Sequence, residues 1–414
     1  MPRIVSGRWT AAHHRGRNLR VGGPAQLPVR GRRGARQRHR RGTALASRSG
    51  PIRSRERRAM RAWLEVLRIS NLPTVWTNVL VGVVLSIAIA RPSDPSLVAV
   101  FVAIAAGSCL YLAGMVFNDV FDVEIDRRER PGRPIPSGRI SRGAAIAFGT
   151  VLLGIGVGLP WMHGIIAGSV ATAIGLMLLA YDALHARTAW SVLLMGGCRA
   201  GLYILGMACL NEPRGVPADD GLLIAVIIGG VAAIHVAAFS MVARDEVTSS
   251  SRWKCPRCGY PIAENSDICT ECGTACDADS IVAITTERLG KRRGWYGTAT
   301  LILLAPFGLL LILTLMLGPP RNGGLFLSTV IIGSIGIGAY LVNSTRHLAR
   351  YPEAVGRFVL RSIAVLTLFD ACIMAFFWAA SPTADARFVA GIGVLVAIAC
   401  FSLVRWSHRR IAGT

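Results

Sequence analysis

The chain has 414 residues, of which 52% are hydrophobic and only 17% charged, and its mean hydropathy is +0.47. Soluble domains carry roughly 25% charged residues, so this composition excludes an ordinary water-soluble globule, and with 7% aromatics it also excludes low-complexity disorder over most of the length. The net charge of +23 does not mark a nucleic-acid binder, because most of it sits in one terminal segment.

That segment, residues 1–59, holds 17 arginines and a single acid, Glu56. It has no apolar periodicity and is expected to be a disordered tail. It lacks the apolar stretch of a signal peptide. An arm for RNA or acidic lipid, a targeting segment, and a start placed ahead of the true one at Met60 are all readings it leaves open.

Apolar runs of about 20 residues, the length that crosses a hydrocarbon core, follow from Pro73 onward. They fall at 73–90, 97–118, 143–160, 164–182, 190–210, 221–243, 297–317, 325–343, 358–380 and 387–404. The expected fold is all-α, a polytopic transmembrane bundle of nine or ten helices. With the N-terminus inside, the inner segments after the tail carry 21 Lys/Arg and the outer loops 4. This bias places both termini in the cytoplasm, in a bacterial-type inner membrane. The long loops are the inner ones, so chemistry is expected on that face.

The second run leads into Asn118-Asp119-Val-Phe-Asp122-Val-Glu-Ile-Asp126-Arg127, followed by Arg130, Pro131, Arg133 and Pro134-Ile-Pro-Ser-Gly-Arg-Ile-Ser141. Spacings of three and four stack Asp119, Asp122 and Asp126 on one helical face, where they repel unless a cation joins them. Mg²⁺ characteristically takes one or two carboxylates together with substrate phosphate oxygens. The plainer alternative is a solvated helix end whose acids pair with nearby arginines.

The stretch Asn118–Ser141 resembles the first aspartate-rich motif of the UbiA superfamily of intramembrane prenyltransferases, N-D-x-x-D-x-x-x-D followed by R-P-x-R-P-I-P-S-G-x-I-S. The resemblance implies that Asp119, Asp122 and Asp126, with Asn118, form a Mg²⁺–diphosphate site, and that Arg127, Arg130 and Arg133 neutralise the departing diphosphate. It implies an enzyme transferring a prenyl group, an alkyl or aryl group other than methyl, to a hydrophobic or aromatic acceptor within the lipid bilayer. Tyr181 matches the Tyr of a Tyr-x-x-x-Lys pattern; the Lys position holds His185, with Arg187 as a stand-in. Tyr181 and Trp190 also read as interfacial belt aromatics.

The second aspartate-rich motif is degenerate. Asp245 and Glu246 are adjacent and point to different helical faces, so either one metal is bound where the family has two, or Arg244 shares in holding the diphosphate. Because of this gap, a second reading stands beside the enzyme: a non-catalytic isoprenoid- or lipid-binding or transporting protein on the same fold. Arg199, His235 and Asp370 lie at membrane depth, where charge is costly. Arg199 reads either as a reach to the diphosphate or as an ion pair with Asp370. Asn78 reads as a cavity-lining group or a helix–helix hydrogen bond, and His235 as a packed interhelical histidine.

Two C-x-x-C-Gly knuckles, Cys255–Cys258 and Cys269–Cys272, resemble a zinc ribbon with four thiolates around a structural Zn²⁺. The surrounding acids disfavour nucleic acid as its partner; a lid or a protein-docking module fits its place. The expected organisation is therefore a tail at 1–59, bundle at 60–249, the cytoplasmic insert at 250–280, and further bundle at 281–414.

Overall fold

The structure is a computed structural model that describes residues 51–90, 96–211 except 186 and 189, 219–249, 274–275, 304, 308, 323–350, 355–381 and 383–410. In chain order the long helices are α1 (Pro51–Leu67), α2 (Leu72–Leu85), α3 (Leu97–Phe121), α4 (Val123–Glu129), α5 (Arg142–Trp161), α6 (Ile165–Leu184), α7 (Ser191–Asn211), α8 (Asp219–Ser249), α9 (Gly323–Arg350), α10 (Val355–Ala380) and α11 (Ala384–Arg410). Among the described residues eight helices are long and apolar enough to cross a membrane, and the protein is an integral, multi-pass membrane protein. The expected run at 297–317 lies outside the described residues apart from Leu304 and Gly308, and that at 325–343 is α9. The Arg-rich tail was expected to reach residue 59, whereas α1 already begins at Pro51; residues 1–50 lie outside the described residues. So do the four cysteines of the zinc-ribbon expectation.

Local chemistry sets several helix ends. Pro73 opens α2, where a missing N–H costs nothing. The Ser96 and Ser141 hydroxyls accept from the N–H groups of Ala99 and Ala144 and cap α3 and α5. Gly138, at φ +74, supplies the turn that returns the chain to α5.

The centre of the bundle is α2, which packs against α3, α7, α10 and α11. Val75 and Val79 of α2 join Leu110, Ile174 and Leu205 in one buried cluster; Val81 and Leu85 join Tyr203, Phe369 and Met374 in another. Large side chains such as Phe101, Leu176 and Leu395 stay on the outside, where lipid is their solvent. A third cluster, Ala62, Val66, Val116, Val120, Val123, Ile135 and Ile140, seats α1 and the 131–140 loop against the end of α3. It brings Arg68, Asp119 and Arg133 to one place.

Candidate active site at the end of α3

Helix α3 stops at Phe121, and Asp122 (φ −81°, ψ 0°) joins it to α4. Asp119 and Asp126 are 5% and 4% exposed. Their carboxylates converge on one guanidinium: Arg133 Nη1 donates to Asp126 Oδ2 at 2.8 Å and to Asp119 Oδ1 at 3.3 Å. Arg68 Nη2 donates to the same Asp119 oxygen at 3.0 Å. A cavity of about 450 Å³ opens there, lined by Glu65, Arg68, Asp119, Arg130, Gly132, Arg133 and Pro134.

Arg68 is the main residue of this site that the sequence reading missed. Its backbone sits in the left-handed region (φ 43°, ψ 48°), rarely adopted outside glycine. Its carbonyl accepts from the Tyr111 hydroxyl at 3.1 Å, which ties the strained turn to α3. A lone arginine ahead of an apolar run carries no spacing signal.

The expected stack of three carboxylates divides in two. Asp122 is not on the shared guanidinium and lies 3.0 Å from His185 Nε2. Among the described residues no three His, Cys, Asp or Glu side chains stand together as a metal site. Like charges at this spacing repel, and each acid is met by a basic side chain: Arg68 and Arg133 at Asp119, Arg133 at Asp126, His185 at Asp122. Asp119 and Asp126 nonetheless fit Mg²⁺, because they already direct oxygens at one point of positive charge, and two carboxylates with phosphate oxygens are its usual protein-side complement.

Arg130 and Arg133 line the cavity as expected, but Arg127 does not: it points outward and pairs with Glu124 one helical turn earlier, both largely exposed. Arg139 instead braces the loop, binding Glu65 at 2.9 Å and the Gly132 carbonyl at 2.7 Å. Asn118 lies near Asp182 of α6, a buried acid that no motif singled out. Tyr181 stacks on His185, with ring centroids 5.3 Å apart. Arg187 is exposed on the turn after α6, so His185 itself, and not Arg187, meets the acidic motif. Arg244 and Asp245 lie on α8, but their side chains fall outside those described.

Partnership with Asp122 holds the His185 pKa above its ordinary 6.5, outweighing the opposing effect of burial. A proton favoured by the folded state stabilises it fully below the ordinary value, and that contribution is lost as pH rises through the raised one. His185→Gln is therefore expected to melt lower than the parent at pH 6, with the gap narrowing as pH rises. A gap independent of pH in detergent melting curves would remove the pair from this account.

Deeper in the bundle, Asn78 Nδ2 donates to Tyr203 Oη and to Asp370 Oδ2, both at 2.8 Å. Tyr203 donates to Asp370 Oδ1 at 2.7 Å. Arg199 Nη1 donates to Thr74 Oγ1 at 2.9 Å and Asn78 Oδ1 at 3.1 Å. Asn78 thus makes helix–helix bonds, one of its two readings, and it stands between Arg199 and Asp370 in place of the direct ion pair. His235 is buried, its Nε2 3.1 Å from the Ser362 carbonyl.

These features define a class: a helical membrane protein with an acid- and arginine-lined cavity at the end of a transmembrane helix. Residues 79–249 match the UbiA prenyltransferase family. It is 31% identical over 159 residues to the digeranylgeranylglyceryl phosphate synthase of Methanosarcina mazei, 36% of this chain and 53% of that protein. The Methanocaldococcus jannaschii protein of the same name is 36% identical over 98 residues, 24% of this chain and 33% of its own length. The matches therefore span about half or less of these curated relatives. The apo structure of a UbiA homologue from Aeropyrum pernix K1 shares the fold with a TM-score of 0.52 at 15% identity, covering 74% of this chain and 98% of that one.

Proposed function

We infer that the protein is an integral-membrane prenyltransferase that moves a prenyl group, an alkyl or aryl group other than methyl, from its diphosphate to a hydrophobic or aromatic acceptor. The observation that carries this reading is the convergence of Asp119 and Asp126 on one cationic point at a cavity that Arg68, Arg130 and Arg133 also line. In the reaction the allylic C1–O bond breaks and both electrons leave with the diphosphate. The acceptor supplies an electron pair to C1 and gives up a proton. Arg68, Arg130 and Arg133 would stabilise the charge growing on the leaving group, and a guanidinium fork suits phosphate oxygens well. Bound Mg²⁺, held by Asp119 and Asp126, would supply further neutralisation of that charge.

The named relatives make a lipid with two geranylgeranyl groups on glyceryl phosphate, which guides the choice of probe. Purified protein in lipid nanodiscs with geranylgeranyl diphosphate and Mg²⁺ is expected to release diphosphate and form a prenylated product, and chelation of the metal is expected to stop both. Binding without diphosphate release would identify a carrier instead. The Lys/Arg bias supports cytoplasmic termini in a bacterial-type inner membrane. The spacing of Cys255, Cys258, Cys269 and Cys272 supports a structural Zn²⁺ in the 250–280 insert, a docking place for a protein partner. Metal analysis should then find about one zinc per chain, absent from a Cys255→Ser, Cys258→Ser variant; equal zinc in both would count against the ribbon.

A further inference from the structure

Helix α1 is built unlike the spanning helices. Its 17 residues hold five arginines and two glutamates, too much charge for a span, so it lies outside the hydrocarbon. Its C-terminal half is held at one membrane face. Ala62 and Val66 share a buried cluster with Val116 and Val120 at the end of α3 and with Ala145 at the start of α5. Trp63 meets Phe148 of α5 edge to face, with ring centroids 4.9 Å apart. Just past α1, Asn71 Oδ1 lies 2.8 Å from His408 Nε2 in the last turn of α11, and Trp406 beside that turn is exposed. Three spanning helices therefore begin or end at the level of α1, and that level is where a bilayer passes from acyl chains to headgroups.

The face of α1 turned away from this cluster is apolar and basic at once. Met60 and Leu64, one helical turn apart, are 58% and 47% exposed, although both are apolar. Arg61 is exposed beside them, and Ile69 after the helix adds another exposed apolar side chain. Arg57, Met60, Arg61 and Leu64 follow one another at steps of three and four, the spacing of neighbours on one side of a helix. Apolar groups interleaved with arginines suit a helix lying in the bilayer interface. The apolar side chains enter the acyl boundary, and guanidinium groups on flexible stems reach the phosphates. A nucleic acid would match the arginines alone and leave Met60 and Leu64 in water.

We propose that α1 is an interfacial helix that binds anionic phospholipid, with Met60 and Leu64 in the acyl boundary and the arginines of the helix drawing phosphate headgroups to its surface. The same helix forms one wall of the cavity at Asp119, because Glu65 lines that cavity and is tied to Arg139 at 2.9 Å. Bound lipid thus borders the candidate active site.

Photo-crosslinking of the full chain, in nanodiscs of equal phosphatidylcholine and phosphatidylglycerol with matched acyl chains, tests this. Met60→p-benzoylphenylalanine and Leu64→p-benzoylphenylalanine place the crosslinker on the exposed face of α1. Leu395→p-benzoylphenylalanine, on the outside of α11 at 69% exposure, reports the bulk bilayer. Mass spectrometry is expected to show lipid adducts at both α1 positions. Their ratio of phosphatidylglycerol to phosphatidylcholine is expected to exceed that at Leu395 at least ~5-fold, the enrichment that one arginine near an anionic surface gives. Adding Arg57→Gln and Arg61→Gln is expected to cut this ratio at least ~3-fold while lipid adducts persist. No lipid adduct at either α1 position, a ratio equal to that at Leu395, or a ratio unmoved by the arginine changes would overturn the proposal. So would adducts to nucleic acid or protein in place of lipid.

Discussion

Asp119→Asn is expected to lower Mg²⁺-dependent diphosphate release from geranylgeranyl diphosphate by at least ~100-fold, the scale seen when one preorganised charge-stabilising contact is removed. The substitution keeps the side chain's shape in a site where it is 5% exposed. It removes the anion that faces both Arg68 and Arg133, at 3.0 and 3.3 Å. A would-be metal ligand is lost, and two buried-side guanidinium groups lose their common partner. Asp126→Asn is expected to act in the same direction, since Asp126 is the closer of the two acids to Arg133. Arg127→Gln provides the contrast: its partner is Glu124 and both are largely exposed, so turnover is expected to stay within about twofold. Steady-state assays on the three variants separate the cavity-lining charges from the outward one.

Gly206→Ala, like Gly82→Ala, is expected to destabilise the bundle strongly. A Cβ at Gly206 would overlap the Val79 carbonyl oxygen, and one at Gly82 would overlap the Tyr203 carbonyl oxygen. Both contacts are with backbone, which cannot rotate away as a side chain can. Helices α2 and α7 meet here because neither glycine has a side chain, the small-residue device that lets membrane helices approach closely. Forcing them apart would stretch the Asn78–Tyr203 bond and the Arg199–Thr74 bond, which span the same seam. A loss of about 1–3 kcal/mol is the usual cost of overpacking, and the melting temperature should fall accordingly. Gly158→Ala makes the control, because a Cβ there meets nothing within 4 Å. Equal melting temperatures for the two variants would show that the seam is not tight.

Much of this architecture is legible in the order of residues. Spans are legible because lipid demands about 20 apolar residues in a row, and eight of the runs named from sequence are membrane-length helices among the described residues. Asn118–Ser141 is legible because carboxylates and arginines recur at helical spacing. Arg127 was misplaced by treating every arginine of that stretch alike; Glu124 three residues earlier was the signal that it faces solvent with a partner. What sequence does not carry is pairing between distant segments. Arg68 meets Asp119 from 51 residues away, and Asp370 meets Tyr203 and Asn78 from 167 and 292. No local period encodes such meetings; they follow from how α2 is surrounded. Asp122 shows the same limit, since its spacing predicted a third ligand and it meets His185, just past the end of α6, instead.

The central claim is that Asp119 and Asp126 hold a diphosphate-bearing lipid through a divalent ion. Electron paramagnetic resonance of Mn²⁺ with the purified protein and the unreactive geranylgeranyl S-thiolodiphosphate tests it most directly. Protein-bound Mn²⁺ is expected to require the analogue and to disappear in an Asp119→Asn, Asp126→Asn variant. Bound Mn²⁺ of equal amount in parent and variant, or none in the presence of the analogue, would contradict it.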